Sequence, residues 1–357
     1  KFERTDPGTV VPVHPRWSEP KKTRYYYPLA KNEDPLKKNQ VCIAWLTSDI
    51  NDIFEVLVLV LLEHILLGNA SSPLRKALID SGLGSSLCDS SGYDPGNRDT
   101  MFVCGLKDVR ESDAGEIERI VFETLSELAG KGIDKKLIES AIHQIEFHRK
   151  EITNTPYPYG IKIMLSFAGT RLHGGDPSRI LNLDEDLNRL REELSQGPLF
   201  ENRIRKYFIG NPHRVLLTLV PDHDMEQREN RRVAEELERI KAGSSKSDIE
   251  KIKNDATCLK ALQGKKEDLS CLPTLEISDI PPSVEDVKET ASYGGVPVSC
   301  YEQPTGGICY FTSAAGTGLA DEKLMHLVPF FCFAFSRTGT TVRNYSEMAQ
   351  RIDAYTG

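Results

Sequence analysis

The residues that come nearest to a recognisable chemistry are Val60-Leu-Leu-Glu63-His64. Written H-x-x-E-H on one helix, such a segment makes a zinc peptidase of the inverted type. Two histidines four apart share a face and hold the metal, and the carboxylate between them serves as general base. Here the first histidine position is Val60. Catalytic zinc takes three protein ligands, so Glu63 and His64 alone are not assigned as a metal site. A second pair, His143 and His148, is five residues apart, which turns the rings about 140° from each other around a helix. They are read as solvent-facing or partly buried histidines that do not share an ion.

Other candidate chemistry is weaker. Gly82-Leu-Gly84 and Gly174-Gly175 match neither phosphate-cradling glycine pattern and read as turns and caps. There is no G-x-S-x-G elbow, and no cysteine has a positioned base to make it a nucleophile. The eight cysteines (Cys42, Cys88, Cys104, Cys258, Cys271, Cys300, Cys309 and Cys332) are scattered without a C-x-x-C pair. They are expected as buried free thiols of a reducing compartment, with one regulatory disulfide as the alternative. Catalytic, metal and cofactor-binding residues are therefore set at none, and substrate-binding residues stay unknown.

The surrounding periodicities define the elements. Pro7, Pro12, Pro15 and Pro20 make residues 1–22 an extended connector. Aromatic Thr23–Ala30, with Tyr25-Tyr26-Tyr27, and β-prone Gln40–Thr47 read as strands, expected to pair antiparallel across the Asn32-Glu33-Asp34-Pro35 turn. An apolar helix comes next over Asp52–Leu67, then a short one over Ser72–Ser81. Strands at Ser86–Tyr93 and Thr100–Leu106 precede a helical period set by Ile117, Ile120, Val121, Leu125 and Leu128. Further helices are predicted at Lys135–Glu151, Gly160–Leu172, Leu183–Ser195 and Pro198–Phe208, and a closing strand at His213–Val220. Strands ahead of consecutive helices, with a late return strand, give an α+β class: a mainly antiparallel sheet packed on a layer of helices over residues 23–223.

Residues 224–268 then read as a charged helical hairpin hinged at Gly243-Ser244-Ser245, and residues 269–291 as an extended linker. The last 66 residues repeat the start. Strands at Val296–Cys300 and Gly307–Ser313, an apolar helix at Asp321–Phe335 and a short helix at Tyr345–Tyr355 make residues 292–357 the opening of a second, truncated copy. Its apolar face from Phe330 to Phe335 is expected to pack on the first domain or a neighbouring chain.

Composition narrows the partners. Across 357 residues, 45 basic side chains face 53 acidic ones, a formal charge of −8 that disfavours nucleic acid or an anionic membrane as partner. The longest apolar run, Ile53–Leu67, is shorter than the ~20 residues that span a bilayer. The first residues lack an initiator Met and a signal-peptide core, so the natural start is expected upstream.

The run Asn69-Ala-Ser-Ser-Pro-Leu-Arg-Lys-Ala-Leu-Ile-Asp-Ser-Gly-Leu-Gly84 resembles the second-domain signature of presequence proteases, the falcilysin-like branch of the pitrilysin and insulin-degrading family of zinc metallopeptidases. So do Ser270-Cys-Leu-Pro-Thr-Leu-Glu-Ile-Ser-Asp-Ile280, Pro7-Gly-Thr-Val-Val-Pro12 and Tyr301-Glu-Gln-Pro-Thr-Gly306. The resemblance covers essentially the whole chain. It implies four homologous domains enclosing a peptide chamber, with zinc and the general base in the first and completing residues in the fourth. This chain then corresponds to the second domain, the hairpin and the start of the third, with no cofactor of its own. The expected function is chamber wall and hinge of an endopeptidase for unstructured peptides such as cleaved targeting peptides, inactive in isolation. Expected partners are those peptides and the remaining domains of the parent, in a bacterial-type cytoplasm or an organellar matrix, not outside the cell. The alternative is a non-catalytic peptide-binding or assembly protein that keeps the peptidase fold without metal.

Overall fold

β-branched and aromatic residues alternate with smaller ones along the first half of the chain, and that alternation sorts the sheet into an inner and an outer face. The computed structural model describes residues 8, 10–153, 156–265, 269–283, 286–289, 291–293, 298–314, 316–318 and 321–357. Strand β1 spans Lys21–Pro28 and β2 spans Asn39–Asp49; helices α1 (Ile53–Leu67) and α2 (Pro73–Asp80) come after them. Short strands β3 (Ser86–Leu87) and β4 (Gly92–Asp94) lead into the long β5 (Asp99–Val109). A helical run comes next: α3 (Ala114–Lys131), α4 (Lys135–Lys150), α5 (Tyr159–Leu172), α6 (Leu183–Gln196) and α7 (Leu199–Ile204), the last continued by a π-helical turn over Arg205–Ile209. Strand β6 (Arg214–Asp222) closes the sheet.

The strand order is β1-β6-β2-β5-β3, with β4 also on β5. β2 pairs antiparallel with β5 and β6, while β1 pairs parallel with β6. The α+β sandwich expected from the element order is therefore present, with one revision. β1 and β2 are not neighbours, because β6, from the far end of the domain, inserts between them. β1 is left as an edge strand, where Tyr25 and Tyr26 stay exposed.

On the inner face, the cross-strand pairs Val41–Leu106, Ile43–Cys104 and Trp45–Phe102 are all buried. Trp45 donates its indole N–H to the Phe208 carbonyl at 3.1 Å, so the largest core side chain has no unsatisfied polar atom. Helix α1 lies against this face. α3 presents Ile117, Val121, Leu125 and Ala129 at four-residue steps to the same core. On the outer face Cys42 and Cys88 meet over Gly105, and a Cβ there would fall 2.0 Å from the Val41 carbonyl oxygen and 2.6 Å from the Cys42 Cα. Only glycine fits.

α1 starts at an Asp52 cap and is fixed by a buried charge. Glu55 accepts from Arg203 Nε at 2.9 and 3.0 Å and from the Tyr207 hydroxyl at 2.7 Å. Burial opposes its ionisation, but the Arg203 and Tyr207 bonds outweigh this and hold its carboxyl below the usual range.

By contact the chain divides into residues 1–223 with 306–357, and residues 224–305. In the second unit, α8 (Met225–Gly243) and α9 (Lys246–Gly264) are the two helices expected on either side of Gly243-Ser244-Ser245, with Ser245 and Asp248 in a reciprocal capping box, but Val233, Leu237, Ile240, Ile252, Leu259 and Leu262 all stay exposed and the helices do not close on a shared apolar seam. A two-stranded ribbon pairs β7 (Ala291–Tyr293) with β8 (Val298–Cys300). Residues 296–297 of the expected strand lie outside the described residues. Gly307–Ser313 is not a strand; β propensity alone does not hold a segment that has no partner edge.

In the first unit, the expected helix at 321–335 is a 3₁₀ stretch followed by α10 (Val328–Phe335), and α11 (Tyr345–Tyr355) is as expected. Phe330, Phe331, Phe333 and Phe335 of α10 are 61–71% exposed, so of the two expected covers for this face the first domain does not supply one.

Replacing Glu55 by Ala leaves Arg203 without its main partner and is expected to cost about 3 kcal/mol in urea unfolding at pH 7. Because the folded carboxyl is held below the unfolded value, the Glu55 contribution is present above the ordinary glutamate pKa of ~4.3 and fades as pH falls through the lower folded value. The loss caused by E55A should therefore shrink in acid; a constant difference would refute this account.

Candidate functional site

α1 is apolar on every side, and most of it is sealed. The exception is one stripe, Ile53, Val56, Val60 and Glu63, at helical spacing and only half-buried. This stripe faces a cavity of about 530 Å³ whose walls come from α4, through Ile145 and Arg149, and from α5, through Lys162 and Leu165. Val60, Glu63, His64 and His148 all line it, so the structure gathers most of the residues singled out in the sequence. His143 does not join them. It lines a second groove of about 610 Å³ with Ile138, Leu194 and Leu199, as five-residue spacing on α4 requires.

The arrangement does not fit zinc. Val60 has no lone pair to offer. His64 is already engaged: its Nε2 donates to Asp353 Oδ2 at 3.0 Å, which fixes the proton on that nitrogen. Glu63 has no hydrogen bond or ion pair among the described residues, and burial raises its carboxyl pKa, against a smaller opposing pull from His64. Among the described residues no group of three or more His, Cys, Asp and Glu side chains is placed to hold a metal.

What sequence reasoning missed is the partner of His64. Asp353 on α11 accepts from Asn69 Nδ2 at 3.1 Å and Ser140 Oγ at 2.7 Å as well, and Gln144 donates to the backbone carbonyls of Asp353 and Thr356. Burial disfavours the Asp353 charge, yet the bonds from His64, Ser140 and Asn69 hold its carboxyl below the usual aspartate range. Asn69 also accepts from the Ser71 backbone N–H at 2.8 Å and hydroxyl at 2.7 Å, so the Asn69-Ala-Ser-Ser string is a turn that presents its amide to α11. Nothing local in the sequence links residues 69 and 353.

The cysteines divide by depth. All eight are free thiols; Cys42, Cys88 and Cys104 are buried as expected, but Cys258, Cys271, Cys309 and Cys332 are exposed. The exposed four sit in the hairpin and C-terminal segments, where no core forms to cover them. Cys42 bonds to the Cys88 sulfur, and with the Ser91 and Ser90 hydroxyls this lowers the Cys88 pKa against the opposing effect of burial, while the Cys42 thiol is pushed up.

Two family models match this sequence: the peptidase M16 inactive domain over residues 1–145, and the region associated with subfamily C of the M16 peptidases over residues 219–357. The chain belongs to the M16 peptidase family. It is 32% identical over its whole length to the "Presequence protease, mitochondrial" of Danio rerio, covering 35% of that protein. It is 31% identical over 96% of its length to the "Presequence protease 1, chloroplastic/mitochondrial" of Arabidopsis thaliana, covering 32% of it. A solved M16 inactive domain from Pseudomonas fluorescens is 16% identical with a TM-score of 0.41, over 57% of this chain and 44% of that one. The chain spans about a third of the length of the curated relatives it matches. The M16 inactive-domain match includes α1, the helix that carries Val60, Glu63 and His64.

Docking of α11 should depend on the Asp353 carboxylate. D353A is expected to free the helix, cutting limited-proteolysis protection of residues 345–355 at least tenfold while the core melt stays unchanged. Because the folded pKa is lowered, docking is complete above the ordinary aspartate pKa of ~3.9 and is lost as pH falls through the depressed value. Equal protection in D353A would show that apolar contacts alone hold the helix. In a separate measurement, brief alkylation of the native chain should label Cys258, Cys271, Cys309 and Cys332 and spare Cys42 and Cys104; rapid labelling of Cys104 would contradict its burial.

Proposed function

We propose that this chain is the non-catalytic middle portion of a zinc metalloendopeptidase that degrades unstructured peptides, cleaved targeting peptides among them, and that it forms chamber wall and hinge. The observation that carries this is Val60 on the cavity stripe beside Glu63 and His64, in a chain whose whole length is similar to about a third of a presequence protease. Residues 23–223 are one complete domain in this reading, 224–268 the helical hairpin, 269–291 the linker, and 292–357 the opening of a homologous domain. Zinc and the general base belong to other parts of the polypeptide, and no step of hydrolysis runs through residues of this chain. The names of the Danio rerio and Arabidopsis thaliana relatives support an organellar matrix as its place.

The purified chain should take up no stoichiometric zinc and cleave no fluorogenic unstructured peptide, with or without added metal. The longer polypeptide that carries it should contain H-x-x-E-H upstream and bind one zinc. Zinc-dependent turnover by the chain alone would sink the proposal. A full-length protein without that motif and without metal would favour the second reading, a peptide-binding or assembly protein, which the valine at position 60 also suits.

A further inference from the structure

The cavity beside α1 has a chemistry of its own, independent of the peptidase reading. Its volume of about 530 Å³ lies inside the ~300–1,000 Å³ range of small-molecule sites. Its apolar lining includes Ile53, Val56, Val60, Ile145 and Leu165, and Leu165 is 53% exposed. Apolar surface left in contact with water next to an otherwise sealed core gains free energy when an apolar group covers it.

Charge chooses among apolar ligands. Arg149 and Lys162 line the cavity and neither has an ion pair among the described residues; Arg149 Nη1 donates to the Ile180 carbonyl at 3.4 Å, and burial of its guanidinium pushes its pKa down, so an anion beside it would be favoured. Arg179, also on the lining, is paired with Asp186 at 3.7 Å. The remaining acid, Glu63, lies at the other end of the α1 stripe from Ile53, without a hydrogen bond or ion pair among the described residues, and burial raises its carboxyl pKa. Two cations without a carboxylate partner, one of them a planar fork suited to a carboxylate, favour a ligand with an anionic head.

We propose that this cavity binds an amphiphilic carboxylate, a medium-length alkyl chain lying along the α1 stripe with its carboxylate at Arg149 and Lys162. Helix α5 suits the role of adjustable wall. Among its fourteen residues only Thr170 is buried, while Ile161, Met164 and Leu165 are exposed. Mitochondrial targeting peptides are Arg-rich and poor in acids, so the same two cations disfavour them here. The site therefore selects against the substrate class proposed above.

Equilibrium dialysis of the whole chain against radiolabelled dodecanoate, below its micelle threshold at pH 7.5, tests this. One saturable site is expected, weakened at least tenfold in the R149Q/K162Q double variant and abolished in V60W, which fills the floor. Dodecyltrimethylammonium and an Arg-rich amphipathic peptide should not displace the probe. The exposed α10 aromatics are a competing surface, so F331S/F333S should bind as wild type. The proposal is overturned by absence of saturable binding, by full affinity in R149Q/K162Q, by displacement with the cationic amphiphile, or by loss of binding in F331S/F333S. The double variant alters exposed side chains, so it decides the matter even if V60W does not fold.

Discussion

A helix that is apolar all the way round has to be enclosed, and most of this domain is the enclosure of α1. The sheet covers one side through Val41, Ile43, Trp45 and Phe102, and α2, α4 and α6 take up most of the remainder. Nine of its fifteen residues are buried apolar side chains, which leaves no freedom to rotate the helix without exposing one of them. The single stripe that is not sealed is thereby fixed in place, and with it the positions of Val60, Glu63 and His64.

The polar groups are confined to the two ends of this apolar body. At the start, Glu55 meets Arg203 and Tyr207; at the finish, His64 and the nearby Asn69 meet Asp353. The Glu55 carboxylate near the helix N-terminus also complements the helix dipole. Such end clamps contribute less gross energy than the apolar contacts, but they are directional. They set the axial position of α1 against α7 at one end and against α4 and α11 at the other.

The elements carried by short-range pattern were legible in the sequence. The four-residue steps of Ile117, Val121 and Leu125 and the Gly243-Ser244-Ser245 hinge mark real elements, and the helix expected from Asp52 starts one residue later, at Ile53. The Val60-to-His64 segment could be singled out on its residue types alone, and Val60, Glu63 and His64 do line one cavity. Pairings between distant strands were not. β1 and β2 look like a hairpin until β6, nearly two hundred residues later, supplies a better partner for both. Gly307–Ser313 has strand-forming residues and no edge to join, and Asp353 reaches His64 across 289 positions of sequence. In each case the deciding interaction lies outside any local window.

The place of β6 in the sheet has a consequence for how the chain is made. It lies between β1 and β2, yet it leaves the ribosome after every other strand of that sheet. Until it arrives, β2 keeps one bare edge of hydrogen-bonding groups flanked by Ile43 and Trp45, and β1 has nothing to pair with. Closure of such a long loop is slow, and an open apolar edge recruits other chains in the meantime. During synthesis the exposed interval runs until about residue 222, and a holdase chaperone would be most useful to this protein in that window.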